Sequence, residues 1–186
     1  MNEKVKQVLK ELREFGIANE VPNITDENAA FLQKLIKDND SKNVLEIGTA
    51  NGFSTICFAS VLSEQSWHIT SIEFSILSHN QAIENIKNAW LEDSVTLIHG
   101  QALDIIPSLT DNSYDFIFID WMKRRSKDFL ELCWPKAIVW ATIIIDDVIK
   151  FKSKMVGLYE YLDEQNIAYE VMQIDEDDGI MLIKKS

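Results

Sequence analysis

The chain has 186 residues, 46% of them hydrophobic, which is one domain's worth of sequence with enough apolar surface for a core without covalent staples. Thirty acidic residues against eighteen basic ones give a formal charge of −12, the wrong sign for long-range attraction to nucleic acid or anionic lipid. Its two cysteines, Cys57 and Cys133, lie far apart among apolar neighbours, which argues against a disulfide framework or a cysteine-based zinc site; both read as buried thiols.

Val5, Val8, Leu9, Leu12 and Phe15 recur at helical spacing, so residues 3–15 read as an amphipathic helix that Gly16 stops. Charges run throughout this segment, and no apolar run in the chain approaches the roughly 20 residues that span a bilayer. A soluble, cytoplasmic protein with no membrane partner is expected. After an extended piece through Pro22, Thr25 or Asp26 caps a second helix whose apolar face is Phe31, Leu32, Leu35 and Ile36. From Val44 onward β-branched runs alternate with helical segments: strands near 44–47, 68–72, 95–99, 115–119 and 138–145, helices near 53–63, 76–90, 127–132 and 152–165. That alternation predicts βαβ units and a parallel sheet covered on both faces. At the end, "AYEVMQI" and "GIMLIKK", joined by the acidic turn "DEDDG", read as a hairpin. The expected fold is α/β: a Rossmann-like, doubly wound, mostly parallel sheet with an antiparallel C-terminal hairpin at one edge. One domain is expected over 1–186, with helices in 1–40 covering the site and a ligand-binding core in 41–186.

Residues 44–55, "VLEIGTANGFST", fill the first strand-to-helix turn, where doubly wound sheets bind ligands. Gly48 and Gly52 allow a sharp bend and leave no Cβ in the way of a ligand. Ser54 and Thr55 begin the next helix, where free N–H groups face outward. The spacing is neither G-x-G-x-x-G nor a P-loop. Glu46, inside the motif, disfavours phosphate and suits a ligand with an ammonium group. Glu73, ending the second strand, is placed to accept hydrogen bonds from two ribose hydroxyls. One ribose, one amino acid and no phosphate describe S-adenosylmethionine.

"VLEIGTANGFST", "SIEFS", "HGQALDIIPSL", "YDFIFIDWMK" and "TIIIDDV" stand in an order and spacing that resembles class I S-adenosylmethionine-dependent methyltransferases, specifically the cation-dependent O-methyltransferases. That group includes catechol and caffeoyl-CoA O-methyltransferases and bacterial relatives that methylate 5-hydroxyuridine in tRNA. The resemblance runs from about Val21 to the C-terminus and implies a methyltransferase domain. It implies that Ile24 packs near the cofactor and that Glu46 and the backbone of Gly48, Thr49 and onward to Gly52 surround its methionine end. Ser54 would bind the cofactor's carboxylate and Glu73 its ribose. Gln101, standing where many relatives have Asp, would flank the adenine with Ala102. Phe74 is either a stacking partner for the adenine or a core aromatic.

Asp120 ends "YDFIFID", and Asp146 with Asp147 ends "TIIIDD", at the same sheet edge as the glycine corner. Successive strand side chains point to opposite faces, so Asp146 and Asp147 share a ligand only if the strand breaks between them. Three carboxylates without His or Cys make a hard, all-oxygen site suited to magnesium, calcium or manganese, the alternative being that Asp146 and Asp147 cap the following helix and Asp120 orients the cofactor or a loop. The resemblance places the metal ligands at Asp120, Asp146 and Asp147, the last standing where relatives have Asn. It also matches Lys123 to the general base of the catechol enzymes, whose pKa should fall toward neutrality beside a metal. Trp121 is either a wall of the site or core. His68, His79 and His99 match no catalytic position.

The leading expectation is an enzyme, an S-adenosylmethionine-dependent O-methyltransferase moving a methyl group to a hydroxyl of a small catechol-like aromatic with a divalent cation, magnesium first. Two alternatives stay open. A tRNA hydroxyuridine methyltransferase is kept by the cationic cluster Lys123, Arg124, Arg125 and Lys127, against the sign of the net charge. A non-catalytic S-adenosylmethionine-binding protein is kept by the short stretch before Val21, which in relatives helps form the acceptor pocket and often a dimer contact. The acceptor's identity and the assembly, a homodimer among the options, have no local code.

Overall fold

The structure, a computed structural model, describes residues 2–176 and 178–186, with the backbone alone of Gln65. Among the described residues seven strands form one sheet: β1 (Asn43–Ile47), β2 (His68–Glu73), β3 (Val95–His99), β4 (Tyr114–Ile119), β5 (Ala137–Ile145), β6 (Tyr169–Gln173) and β7 (Gly179–Lys184). Their order is β3-β2-β1-β4-β5-β7-β6. The first five pair in parallel; β7 runs antiparallel to β5, and β6 antiparallel to β7 at the edge. This is the expected α/β sheet with its C-terminal hairpin.

Seven α-helices cover it among the described residues: α1 (Glu3–Asn19), α2 (Asp26–Asp38), α3 (Phe53–Leu62), α4 (Ile76–Asn88), α5 (Ala102–Ile105), α6 (Ser126–Cys133) and α7 (Val156–Glu164). Side chains alternate across each strand, so one sheet face carries Val44, Phe116, Phe118 and Ile144 into a core with α1 to α4. The other carries Leu45, Ile47, Ile117, Ile119, Ile143 and Ile145 into a core with α5 to α7. Strands apolar on both faces are what a doubly covered parallel sheet requires. Helix α3 is buried on every side, because α1 and α2 pack over it. Phe58 on α3 meets Phe118 and Phe116 edge-on, with ring centroids 5.3 and 6.4 Å away. Each such fully buried side chain contributes roughly 1.5–3 kcal/mol.

Three boundaries differ from the sequence reading. Helix α1 continues past Gly16 to Asn19 and ends at Glu20, whose left-handed backbone returns its N–H to the Gly16 carbonyl. Gly16 is there for packing: a Cβ on it would stand 2.7 Å from Asn23 Nδ2. The segment at 152 opens with a 3₁₀ turn, Lys152–Lys154, before α7 begins. The short α5 was not anticipated. Of the two candidate caps for α2, Thr25 is the one used, its hydroxyl accepting the Asn28 N–H at 3.1 Å. In the acidic hairpin turn, Asp177 lies outside the described residues. No helix among the described residues is long and apolar enough to cross a membrane.

Candidate active site

Strand order reverses between β1 and β4, the switch point at which a doubly wound sheet opens a crevice. Ile47 is the register partner of Ile119, and Ile119 of Ile145. The next residue of each strand, Gly48, Asp120 and Asp146, is therefore level at the C-terminal edge of the sheet. Two backbone bonds seal that level: Asp120 N–H to the Ile47 carbonyl at 2.9 Å and Asp146 N–H to the Ile119 carbonyl at 3.1 Å. Gly48 sits at φ +105°, where a Cβ would stand 2.5 Å from the Asp120 carbonyl oxygen. Only glycine lets β1 turn against β4 here.

A cavity of about 470 Å³ opens over this edge. Ile24, Gly48, Thr49, Ser54, Asp120, Lys123 and Asp147 of the sequence-derived site line it. So do Ala50, from the Gly48–Gly52 backbone, and Arg124, from the cationic cluster, together with Phe53, Met122, Phe151 and Lys154, which the sequence reading left out. Ala50, Met122 and Asp147 all have positive φ, at 48°, 32° and 61°. Strained non-glycine backbone gathered around one cavity is a mark of a working site. Trp121 does both things proposed for it, lining the cavity and packing on the lower core. Phe74 is 50% exposed, so it is not a core aromatic.

Other expected residues stand behind the wall. Glu46 shares a sheet face with Val44 and is fully buried. Its carboxylate accepts hydrogen bonds from the hydroxyls of Ser54 (2.6 Å), Thr55 (2.5 Å) and Ser71 (2.6 Å). It thus reaches the cavity through Ser54 and, by way of Ser71, through Thr49, whose hydroxyl lies 2.6 Å from that of Ser71. Burial pushes its pKa up to about 7, against the pull of those three hydroxyls, with Asp120 adding a further push. Glu73 accepts the N–H groups of Ala50 (2.8 Å) and Ser75 (2.7 Å), tying the end of β2 to the glycine corner. His99, the last residue of β3, is its register partner, so Gln101 and the buried Ala102 follow beside it at the start of α5. Gly52 caps α3 against Ala82 at φ +90°.

At the far wall Lys123 Nζ lies 2.5 Å from Asp120 Oδ1 and 2.8 Å from Asp147 Oδ2, and 3.4 Å from the Asp146 carbonyl oxygen. Strand β5 ends at Ile145, and the left-handed Asp147 breaks the alternation after it, so both aspartates turn toward this group. Burial lowers the Lys123 pKa, but Asp120, Asp147 and Asp146 outweigh it and hold the ammonium above its usual range. The fall toward neutrality was expected beside a metal; with the aspartates alone, the lysine is held as a cation among three acids. Burial and then Asp120 push Asp146 well above the usual carboxylate range, against Lys123. Asn28 Nδ2 donates to Asp146 Oδ1 at 3.0 Å. The donor chemistry fits a hard cation, yet no three His, Cys, Asp or Glu side chains among the described residues stand at metal-ligand spacing.

The wider basic cluster is mostly neutralised: Arg125 pairs with Asp128, and Lys127 reaches Glu131 at 4.0 Å. His79 and His99 face each other at 5.4 Å between ring centroids, away from the cavity lining. Cys57 and Cys133 are buried free thiols, each pushed up to about 12 by burial.

The strand order and the crevice at the β1–β4 switch point are those of a doubly wound α/β ligand-binding sheet. The chain belongs to the O-methyltransferase family, whose model matches residues 2–186, so the likeness begins well before Val21. It is 32% identical over 135 residues to the catechol O-methyltransferase of Mycobacterium tuberculosis, covering 72% of this chain and 61% of that protein's length. It is 26% identical to the caffeoyl-CoA O-methyltransferase of Populus kitakamiensis, covering 95% of this chain and 86% of the relative. Among solved structures, an O-methyltransferase from Bacillus cereus in complex with S-adenosylhomocysteine superimposes with a TM-score of 0.86 at 25% identity, over 100% of this chain and 92% of that one.

Proposed function

We propose that the chain is an S-adenosylmethionine-dependent O-methyltransferase acting on a small aromatic with vicinal hydroxyls, with the help of a divalent cation. One observation carries this reading: the glycine corner and the Asp120–Lys123–Asp147 group face each other across a single cavity. The catechol and caffeoyl-CoA names of the relatives and the S-adenosylhomocysteine of the Bacillus cereus protein support it.

On one side, Gly48, Thr49 and Ala50 offer bare backbone to the cofactor's amino-acid end, and Ser54 opens the first turn of α3 for its carboxylate. Glu46, held by three hydroxyls, fixes Ser54 and Thr55 in place. Glu73 holds the corner's shape through Ala50 and keeps the end of β2 in position for a ribose. On the other side, Asp120, Asp146 and Asp147 would hold the cation. When bound, a divalent cation lowers the pKa of a coordinated hydroxyl and fixes its oxygen. Lys123 Nζ would take the hydroxyl proton, once its own proton, which the three aspartates stabilise, has passed to solvent through the open cavity. Trp121, Met122 and Phe151 supply apolar walls that exclude water and suit a flat ring.

The test is calorimetric titration with S-adenosylmethionine, in chelator and again in magnesium, followed by a product assay with catechol. Binding in both conditions, with methylated product formed only in magnesium, is expected. No binding of S-adenosylmethionine in either condition would overturn the reading.

A further inference from the structure

We infer that Arg13, on α1, is a positioning residue for the cofactor's amino-acid end: it clamps Phe53 and Ile24, from separate stretches of the chain, into one wall of the cavity. This deepens the methyl-transfer reading and rests on it for the cofactor alone, not for the acceptor or the cation. Arg13 itself does not line that cavity. It acts from behind the wall.

Three contacts fix its guanidinium. The Arg13 Cζ atom lies over the Phe53 ring, 4.2 Å from the centroid. Nη2 donates to the Ile24 carbonyl at 2.7 Å and to Asp26 Oδ1 at 2.6 Å, and Nε donates to the same Asp26 oxygen at 3.2 Å. The Asp26 side chain is 78% exposed, so that ion pair contributes little. The other two contacts go to residues that line the cofactor cavity. A cation over a ring and a charged donor on a carbonyl both strengthen as water is excluded, and the Arg13 side chain is only 24% exposed.

Phe53 is the residue that needs such a clamp. Behind it, between α1 and α2, lies a second cavity of about 420 Å³, lined by Leu9, Arg13, Ala29, Gln33 and Cys57 among others. Among the described residues Phe53 alone lines both cavities, so its ring is the partition between them. Its backbone is fixed at the head of α3, with the N–H given to Asn51 Oδ1 at 3.2 Å. Only the ring is free to turn, and the outer cavity leaves it room. Arg13 closes that side. The next residue is Ser54, the proposed partner of the cofactor's carboxylate, so a ring turned outward widens the cavity where the amino-acid end sits. Ile24 belongs to the same wall from the other direction. With Pro22 and Asn23 it brings the α1–α2 connection to the cavity, and its carbonyl is the atom that Arg13 holds. Asn23 Nδ2 fastens this connection to α1 as well, donating to the Leu12 carbonyl at 3.3 Å.

The test separates the two ends of the cofactor. S-adenosylhomocysteine and methylthioadenosine, which shares the nucleoside and the sulfur but lacks the amino-acid group, are titrated into the wild type, Arg13→Ala and Arg13→Lys. Arg13→Ala should weaken S-adenosylhomocysteine about tenfold and methylthioadenosine less than about twofold. Arg13→Lys keeps the charge and the reach to Asp26 but loses the flat face that stacks on Phe53. It should therefore show the same selective loss, at least about threefold, and it keeps the test open if the thermal midpoint shows that the alanine variant does not fold. A general loosening of the fold would weaken both ligands alike. Equal losses for the two ligands, or no loss for either, overturn the positioning role and leave the methyl-transfer reading intact. Failure of the wild type to bind S-adenosylhomocysteine overturns both.

Discussion

Lys123 sets the charge balance of the site, because three carboxylates depend on an ammonium whose side chain is 14% exposed. Removing one partner of a mostly buried ion pair leaves its counter-charges uncompensated, at a cost on the order of 3 kcal/mol. Lys123→Met should therefore unfold in less urea and transfer no methyl group. A dication bound by the same aspartates would restore much of that stability by mass action. Added magnesium should raise the thermal midpoint of the variant more than that of the wild type, and no rise in either would remove the cation from the mechanism. Glu46 yields a pH dependence. Its carboxyl titrates near 4.5 when unfolded and at about 7 in the fold, so between these values the native state keeps a proton that the unfolded chain has released. The stability this contributes is fully present below about pH 4.5 and is lost as pH rises through about 7, roughly 3 kcal/mol over the window. Glu46→Gln should flatten that slope in urea titrations between these limits. An unchanged slope would mean that the hydroxyls of Ser54, Thr55 and Ser71 compensate the buried charge.

Elements carry the next level of argument, and α2 is the instructive one. Thr25 caps α2 through the Asn28 N–H and donates its hydroxyl to Asp175, so a single side chain ties the helix to the turn of the β6–β7 hairpin. Thr25→Ala loses both contacts and should cost about 1–2 kcal/mol of unfolding free energy, with Thr25→Ser recovering most of it. A loss no larger than a few tenths would mean the cap is not holding the helix. The strands and the longer helices were legible because each sheet face writes its own alternation into the sequence, and the glycine corner because Gly48 and Gly52 leave positive φ as a requirement at fixed spacing. What was not legible came from partners distant in the chain. Gly16 reads as a stop, yet it lies inside α1 to make room for Asn23. Lys123 reads as the partner of nearby Asp120, and only folding brings Asp147, more than twenty residues on, to 2.8 Å from its Nζ. Asn28 sits unremarked in α2, and only folding brings it to Asp146.

At the scale of the whole molecule, charge separates the two acceptor classes. With a formal charge of −12, the protein repels a phosphate backbone unless a local cationic face overrides the field. The segment from Lys123 to Lys127 is the candidate face, and folding dismantles it. Lys123 turns inward onto Asp120 and Asp147, Arg125 pairs with Asp128, and Lys127 lies between Glu131 and the ring of Tyr161. Arg124 alone of the four has no ion pair among the described residues, and Arg124 with Lys154, which lines the same cavity, releases too few counterions to hold tRNA. Filter binding of unmodified tRNA should accordingly show no retention at low salt, while a catechol acceptor binds with an affinity that salt changes little. Retention that weakens steeply with added salt would reverse the assignment, because a steep slope requires several phosphate contacts, which Arg124 would have to make together with Lys150, Lys152 and Lys154.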